Sequence, residues 1–395
     1  MSRPSLLAHR RPIALAIVVG ACSLGCLGDS PESLWQDARQ AFEVRDFGRA
    51  EAAMKRLGEL RAAKPEDSLM RGQIAIAKGR VDEALGELAR VPNDHPMAAR
   101  ARLEQGQLEL RRHRARYAAK FFREAIRLDP KLIQAHRELI YIYGMQLRRV
   151  DLANEFRMLS ELQPLNFDQA FVWCLTRRSV WEPIEITGEM EKYVAADPDD
   201  RESRLALVDA LRKLNRNAEA AEAIKHLPDD DPEARTARAQ LALDRGDMAD
   251  AEALLAGGPR KNLGLDLLRG RLAMARGNFP AAVAAYRDAV AAEANNRDAV
   301  FGLAHSLQRL GDPEAKRYLD DSLRLERLES LVQRAVLSTS RNNVGLIRDL
   351  GAACAAVDRL PEARAWYQIA IAMNPLDTEA QEALFKLKDQ KPPAP

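Results

Sequence analysis

Small and large apolar residues return at fixed distances along the chain, with polar residues between them. A glycine is followed after 12 residues by alanine, after 4 more by a large apolar residue, after 3 by alanine or valine, and after 5 usually by proline. The pattern occurs at Gly72, Ala84, Leu88, Val91 and Pro96; at Gly106, Ala118, Phe122, Ala125 and Pro130; at Gly270, Ala282, Tyr286, Ala289 and Ala294; and at Gly351, Ala363, Tyr367, Ala370 and Pro375.

This spacing predicts pairs of helices. Residues four apart lie on the same face of a helix, so each alanine and the following large residue share a face. The glycine and alanine let two helices approach closely, and the large side chain fills the gap between them. Proline then ends the second helix, and short glycine-containing turns such as "KGRVDEA" (78–84) join the paired helices.

The prolines set the period of the pattern. Five of them are spaced 34 residues apart, at Pro96, Pro130, Pro164, Pro198 and Pro232. This period, with the positions above, resembles the tetratricopeptide repeat, a 34-residue helix–turn–helix unit. The resemblance implies an all-α fold, a right-handed superhelical solenoid of stacked antiparallel helix pairs with a concave inner face.

The repeat frame covers nearly the whole chain after residue 30. We predict an array of about nine units over 31–330, and then an extra helix, a final unit and a capping helix over 331–391, with a tail at 392–395. Some units depart from the pattern, and residues 326–342 predict an additional helical stretch that breaks the period.

The N-terminus has the features of an export signal. A basic segment ends at Arg11, an apolar run follows over 13–19, and small residues come next. "VVGAC" and "SLGC" resemble the box in which a bacterial lipoprotein is acylated on cysteine. We interpret 1–21 as a lipoprotein-type signal peptide, 22–30 as a tether and Cys22 as the acylated residue, with Cys26 as the alternative. An ordinary signal peptide and an uncleaved anchor remain open.

Composition and charge disfavour two classes of function, nucleic-acid binding and polysaccharide binding. The 395 residues include 60 basic and 58 acidic ones, and three of the basic residues lie in the N-terminal signal. A nucleic-acid-binding protein normally carries a clear basic excess, so we expect no nucleic-acid partner. The four tryptophans form no regular ladder, which disfavours a polysaccharide-binding module.

The sequence shows none of the catalytic or metal-binding motifs that we searched for. No nucleophile elbow, phosphate-binding loop or paired metal-ligand motif occurs, so we predict no enzyme activity, no cofactor, no metal and no small-molecule substrate. Because 180 residues separate Cys174 from Cys354, no disulfide is expected between them. Both are interpreted as small buried apolar residues.

The repeat resemblance implies which residues face a partner. In this family the first helix of each unit lines the concave face. Carried over by repeat frame, the partner-binding candidates are Arg137, Tyr141, Phe171, Arg178, Arg212 and Arg271, with Asp209, Phe301, His305 and Arg348 at equivalent positions. Arginine and aromatic residues anchor interfaces well. The alternative is that they simply form the polar inner wall of a solenoid.

A second candidate surface is a basic edge at the turns within helix pairs. It comprises Arg111, Arg112, Arg114, Arg148 and Arg149, whereas acidic residues such as Asp197 fall between units and predict an acidic opposite edge. The basic edge would face anionic lipid or an acidic partner. Charge preferences at helix ends explain part of the pattern without any partner.

Together these features predict a non-catalytic protein–protein interaction scaffold. It is expected to be exported to the cell envelope or periplasm of a bacterium and anchored in the membrane by an N-terminal lipid. Its partners would be other proteins, held by peptides or surfaces in the concave groove while an envelope complex assembles. The alternative is an accessory or regulatory subunit of an envelope enzyme or polysaccharide export complex.

Overall fold

The computed structural model describes residues 30–175 and 182–388, and within these residues every regular element is a helix. The first helices in chain order are α1 (Pro31–Glu43), α2 (Phe47–Leu60), α3 (Pro65–Ala77), α4 (Val81–Ala89), α5 (Ala98–Arg111), α6 (Ala115–Leu128), α7 (Ile133–Met145), α8 (Arg149–Leu162), α9 (Phe167–Cys174) and α10 (Pro183–Ala196). They are followed by α11 (Arg201–Lys213), α12 (Asn217–Ile224), α13 (Pro232–Asp244), α14 (Met248–Ala256), α15 (Leu263–Ala275), α16 (Phe279–Ala292), α17 (Arg297–Arg309), α18 (Ala315–Ala335), α19 (Val344–Ala355), α20 (Leu360–Met373) and α21 (Thr378–Lys388).

The chain divides into two units, residues 1–67 and 68–395. The described part of the first unit contains the helix pair α1 and α2. Ser30 caps α1, since its hydroxyl accepts from the Ser33 backbone N–H while the Ser33 hydroxyl accepts from the Ser30 N–H, both at 3.1 Å. Asp46 caps α2 in the same sense. Such caps satisfy backbone donors that a helix leaves unpaired.

The turns within helix pairs share one backbone conformation. Each described turn of this kind contains one residue in the left-handed region, with φ between 56° and 79°. Glycine occupies this position in four turns, where it adopts positive φ without steric cost. In the α3–α4 turn, for example, the Gly79 and Arg80 N–H groups return to carbonyls of α3 at 3.0 and 2.9 Å. This closes α3 and starts α4 after three residues.

The predicted packing of small against large residues is confirmed. A Cβ on Gly106 of α5 would lie 2.4 Å from the ring of Phe122, which is fully buried on α6. Tyr286 of α16 fits between two glycines, since a Cβ on Gly270 or Gly302 would lie within 2.6 Å of its ring. One large side chain therefore joins the first helix of its own repeat to the first helix of the next. The fold class is accordingly the predicted all-α array of stacked helix pairs.

Alanine substitution should have opposite effects at two glycines of this array. Gly106→Ala forces the Phe122 ring or a helix to move and should destabilise by about 1–3 kcal/mol. Gly86 is an exposed position within α4, where an added Cβ would meet no atom within 4 Å. Gly86→Ala should therefore stabilise by about 0.5–1 kcal/mol. Urea denaturation followed by circular dichroism measures both. Shifts of the same sign would contradict the close approach of α5 and α6.

The structure departs from the expected pattern at α18. The separate helical stretch predicted over 326–342 is instead the end of the 21-residue helix α18, followed by a 3₁₀ turn at Ser338–Asn342. Leu325, Leu328 and Val332 continue one buried face along it. Because this face keeps helical spacing, nothing interrupts the helix where the repeat period ends. Among the described helices, none has both the length and the apolar character to span a membrane.

The two internal cysteines lie close together in the structure. Cys174 and Cys354 are both buried, as predicted. Both thiols are free, and their sulfurs lie 3.8 Å apart, a proximity that the separation of 180 residues did not indicate. The reason is that α9 packs against α18 and α20 of a later part of the array, a contact that repeat spacing alone does not reveal.

Candidate partner-binding groove

An open cavity of about 620 Å³ lies beside the α7–α8 turn, α11 and α13. Its charged lining residues are Arg148, Arg149, Arg201 and Arg212, with Asp151, Glu202, Asp209 and Glu233. We call this cavity the α11 groove. The turn residue Val150 also lines it and is 73% exposed, which adds an apolar patch beside the charges. Apolar contact next to fixed charges is a common composition for a recognition surface.

A buried polar network fixes the turn at one side of the groove. Leu147 adopts φ of 56°, an uncommon conformation for a bulky residue. The preceding Gln146 is buried and donates from Nε2 to Ser203 Oγ at 3.0 Å and to Asp200 Oδ2 at 3.3 Å. Asp200 also caps α11 by accepting from the Ser203 N–H. The α7–α8 turn is therefore attached to the start of α11, which holds Arg148 and Arg149 in place.

Burial perturbs one member of this network. Desolvation raises the pKa of Asp200 above its ordinary value, although hydrogen bonds from the Ser203 hydroxyl and backbone act in the opposite direction. The carboxylate is held in place by these donors rather than by a direct ion pair. It therefore has a structural role and does not offer a charge to the groove.

Most arginines of the groove already have acidic partners. Arg148 forms an ion pair with Asp151 at 2.8 Å, and its guanidinium lies 4.4 Å from the centroid of the Tyr143 ring. Arg212 contacts Asp209 at 3.4 Å and Asp244 at 3.2 Å. These ion pairs are half-buried and remain open to solvent on one side. Since solvent-accessible pairs contribute only about 0–1 kcal/mol, an arginine could exchange its partner for an incoming carboxylate at little cost.

Arg201 is the most strongly paired of the four. It forms a hydrogen-bonded ion pair with Asp231 and lies 2.6 Å from both Glu202 and Glu233. The hydrogen bond to Asp231 raises the pKa of Arg201, against the effect of burial. Since Asp231 also caps α13 through the Ala234 N–H, Arg201 joins two consecutive first helices. Its charge is therefore balanced within the protein and is not available to a ligand.

Arg149 differs from the other three. It is exposed at the first position of α8 and lines the groove, yet it has no ion-pair partner among residues 30–175 and 182–388. A cation at a helix N-terminus also gains nothing from the helix dipole, which favours negative charge there. Arg149 is thus the groove cation whose charge remains available to a ligand.

The groove brings together residues that the sequence assigned to two different surfaces. Arg212 was expected on the concave face, whereas Arg148 and Arg149 were expected on the basic edge. All three line one cavity. Sequence reasoning missed Arg201, although its separation of 30 residues from Asp231, about one repeat, was a usable signal.

The remaining partner-binding candidates lie elsewhere. Arg137 and Tyr141 are exposed on α7, and Arg137 donates to Gln163 at 3.4 Å. Arg271 is exposed on α15 and paired with Asp298 at 2.7 Å. Phe171 is half-buried and stacks on Phe167, with 6.0 Å between ring centroids, so it contributes to core packing.

The other equivalent positions are also partly engaged. The Phe301 and His305 rings contact each other with centroids 4.2 Å apart, and Phe301 is exposed. Arg348 reaches Asp377 at 3.3 Å. Arg178 and the two lipidation candidates, Cys22 and Cys26, lie outside the described residues.

The predicted basic edge contains acids as well as bases. Arg112 pairs with Asp82 at 2.7 Å, and Arg114 lies 3.9 Å from Glu109. Arg111 is exposed, and no described residue pairs with it.

The predicted separation of charge between the two edges is wrong at Asp197. That residue is buried and makes two 2.8 Å hydrogen bonds with Arg116 at the start of α6. A separation of 81 residues places Asp197 about two repeats further along the array, yet the two side chains meet. Neutralising pairs of this kind arise from stacking, which position within one repeat does not reveal.

One group of side chains in the described chain has ligand atoms close enough for a metal ion. Cys174, Cys354 and Glu362 place theirs within 4.8 Å of one another. The Glu362 carboxylate, however, forms an ion pair with Arg359. A guanidinium at this position opposes the entry of a cation, so the group does not have the composition of a metal centre.

Comparison with known proteins gives one family. The family profile described as tetratricopeptide repeat matches residues 69–133, 205–261 and 267–324. No curated protein matches the sequence.

Similar solved structures span much of the chain at low identity. They include a tetratricopeptide repeat protein from Parabacteroides merdae (16% identity, 62% of this chain, 98% of that chain, TM-score 0.33) and the APC/C hetero-tetramer Cut9–Hcn1 (12% identity, 91% and 96%, TM-score 0.33). Yeast Tom70 is a third (14% identity, 92% and 89%, TM-score 0.30). The family profile falls on helices α3–α6, α11–α14 and α15–α18. These three segments of the chain are similar to tetratricopeptide repeats.

Proposed function

We propose that this protein is a non-catalytic scaffold that binds an acidic segment of a partner protein in the α11 groove. Two features support this proposal. Proteins built from tetratricopeptide repeats are generally non-catalytic and bind other proteins, and the matched segments include α11 and α13 beside the groove. The observation that carries the proposal is Arg149, an exposed groove arginine with no acidic partner in the described part of the chain.

The arrangement favours an acidic ligand over a basic one. A carboxylate next to Arg149 would gain a charge-assisted hydrogen bond without displacing an internal partner. A second carboxylate could share Arg212, whose contacts with Asp209 and Asp244 are longer than 3 Å. A basic ligand would instead have to compete with Arg201 for the acids that it already holds. The apolar contact would come from Val150.

Site-specific photo-crosslinking tests where the partner binds. A photoreactive amino acid replaces Val150, which is 73% exposed on the groove, or as a control Leu323, which is 62% exposed on α18 and outside the groove. In native envelope fractions we expect one discrete adduct from position 150 and none from position 323. Mass spectrometry should place the crosslink in a segment rich in aspartate and glutamate. The same adduct from both positions, or none from either, would contradict groove binding.

The scaffold is, in our proposal, anchored in the bacterial envelope by a lipid on Cys22. The support is the order of basic, apolar and small residues before this cysteine. We expect Cys22→Ala to abolish incorporation of labelled fatty acid and leave the signal uncleaved, whereas Cys26→Ala should retain both. Metabolic labelling and mass spectrometry of the N-terminal peptide measure this. An unmodified cytosolic chain that begins at Met1 would refute export.

A further inference from the structure

Cys174 and Cys354 form a buried pair within the second unit of the chain. Cys174 is the last residue of α9, and Cys354 lies near the end of α19. Their Sγ atoms are 3.8 Å apart, and both thiols are free. A disulfide joins its sulfurs at about 2 Å, so the two Sγ atoms would have to approach by about 2 Å.

The two sulfurs occupy different electrostatic environments. The Trp366 indole N–H donates a hydrogen bond to Cys174 Sγ at 3.0 Å, and the Arg359 guanidinium is close by. The hydrogen bond from Cys354, aided by Arg359 and Trp366, lowers the pKa of Cys174, while the same thiol–thiol contact and burial raise the pKa of Cys354. Cys174 is thus the nucleophile of the pair, and Cys354 keeps its proton.

A cavity gives access to this pair. About 320 Å³ of open space borders Cys174 and Arg359, together with Arg297 and Glu329 from other parts of the same unit. This cavity is the side from which a disulfide donor would approach Cys174. Cys354 does not line this cavity and would react only after Cys174 has done so.

We propose that Cys174 and Cys354 are a redox-active dithiol that closes to a disulfide by exchange with a disulfide of the glutathione class. The Cys174 thiolate attacks one sulfur of the donor, forms a mixed disulfide and releases one donor thiolate. That thiolate takes the proton of Cys354, whose sulfur then attacks the Cys174 sulfur of the mixed disulfide and expels the second donor thiolate. The second thiolate takes up from solvent the proton that Cys174 had released. Overall, two protein thiols and one donor disulfide become one protein disulfide and two donor thiols.

The bond would fasten two distant parts of the array. It would connect α9, the short first helix of an irregular repeat, to α19, and so close a loop of 180 residues. Cross-linking a long loop restricts the unfolded chain and stabilises the folded one. α9 also packs against α20, so its position would become covalently fixed to the C-terminal repeats.

Oxidation of the purified full chain with oxidised glutathione tests the proposal. Cys22→Ser and Cys26→Ser remove the other two thiols, and alkylation under denaturing conditions then counts the free ones. We expect a peptide in which Cys174 is linked to Cys354, both protected from alkylation, and an apparent melting temperature above that of the reduced chain. Reduction with dithiothreitol should restore both thiols.

Single cysteine variants separate the two roles. With Cys354→Ser, the exchange should stop at a stable glutathione adduct on Cys174, because no resolving thiol remains. With Cys174→Ser, Cys354 should gain at least tenfold less adduct in the same time. The proposal would be overturned if both thiols remained fully open to alkylation after treatment with oxidised glutathione. It would also be overturned if the purified chain held stoichiometric zinc that only a chelator removes. Equal adduct formation on each cysteine alone would refute the assignment of the nucleophile.

Discussion

Phe122→Ala is expected to destabilise the protein by about 3–5 kcal/mol, the usual cost of removing a fully buried phenylalanine. The ring has no exposed surface and fills the space that Gly106 leaves between α5 and α6. Since each repeat is stabilised by its neighbours, the loss should also weaken the adjoining units. Urea denaturation followed by circular dichroism should show a midpoint at a lower urea concentration than in the parent protein. Amide hydrogen exchange should accelerate most in α5, α6 and α7.

The matched control is the same substitution at Phe385. This residue is 67% exposed on α21, so Phe385→Ala should change the free energy of unfolding by no more than about 0.5 kcal/mol. Similar effects at the two positions would mean that Phe122 does not hold the helices together. The repeat frame on which the fold rests would then be wrong at this unit.

The sequence predicted those features that repeat within one unit. Gly106 and Phe122, or Gly351 and Tyr367, contact each other across a single helix pair, so their 16-residue separation was enough to infer the packing. Two helix starts coincide with a local sequence signal. Pro183 and Pro232 are the first residues of α10 and α13, where their missing N–H costs nothing.

Contacts between distant units could not be predicted in this way. Cys174 meets Cys354 across 180 residues, and Arg116 meets Asp197 across 81. Such contacts depend on how small rotations between successive helix pairs add up, and no residue spacing encodes that sum.

The composition of the α11 groove could not be predicted from repeat position either. Repeat position assigned Arg212 to the concave face and Arg149 to a turn edge, but the Gln146 network with α11 brings both to one cavity. Nothing in the sequence distinguished Arg149, which is unpaired within the described residues, from Arg148, which is paired with Asp151. That difference depends on side-chain geometry. It is the reason why we propose an acidic ligand for the groove.

The largest functional effect is expected from Arg149→Glu. Reversing this charge places a carboxylate where an acidic segment must bind, so attraction becomes repulsion at a position that has no role in an ion pair among the described residues. The substitution should leave the free energy of unfolding almost unchanged, because Arg149 is exposed. Arg157→Glu is the matched control, since Arg157 is an exposed arginine of the same helix that pairs with Glu161 outside the groove.

The most direct measurement is the yield of the position-150 crosslink in these two backgrounds, at equal protein concentration and low salt. We predict that Arg149→Glu lowers the yield of adduct at least about tenfold, which corresponds to about 1.4 kcal/mol of binding free energy. Arg157→Glu should leave the yield within about twofold of the parent protein. An undiminished adduct in the Arg149→Glu background would contradict recognition of an acidic partner in the α11 groove.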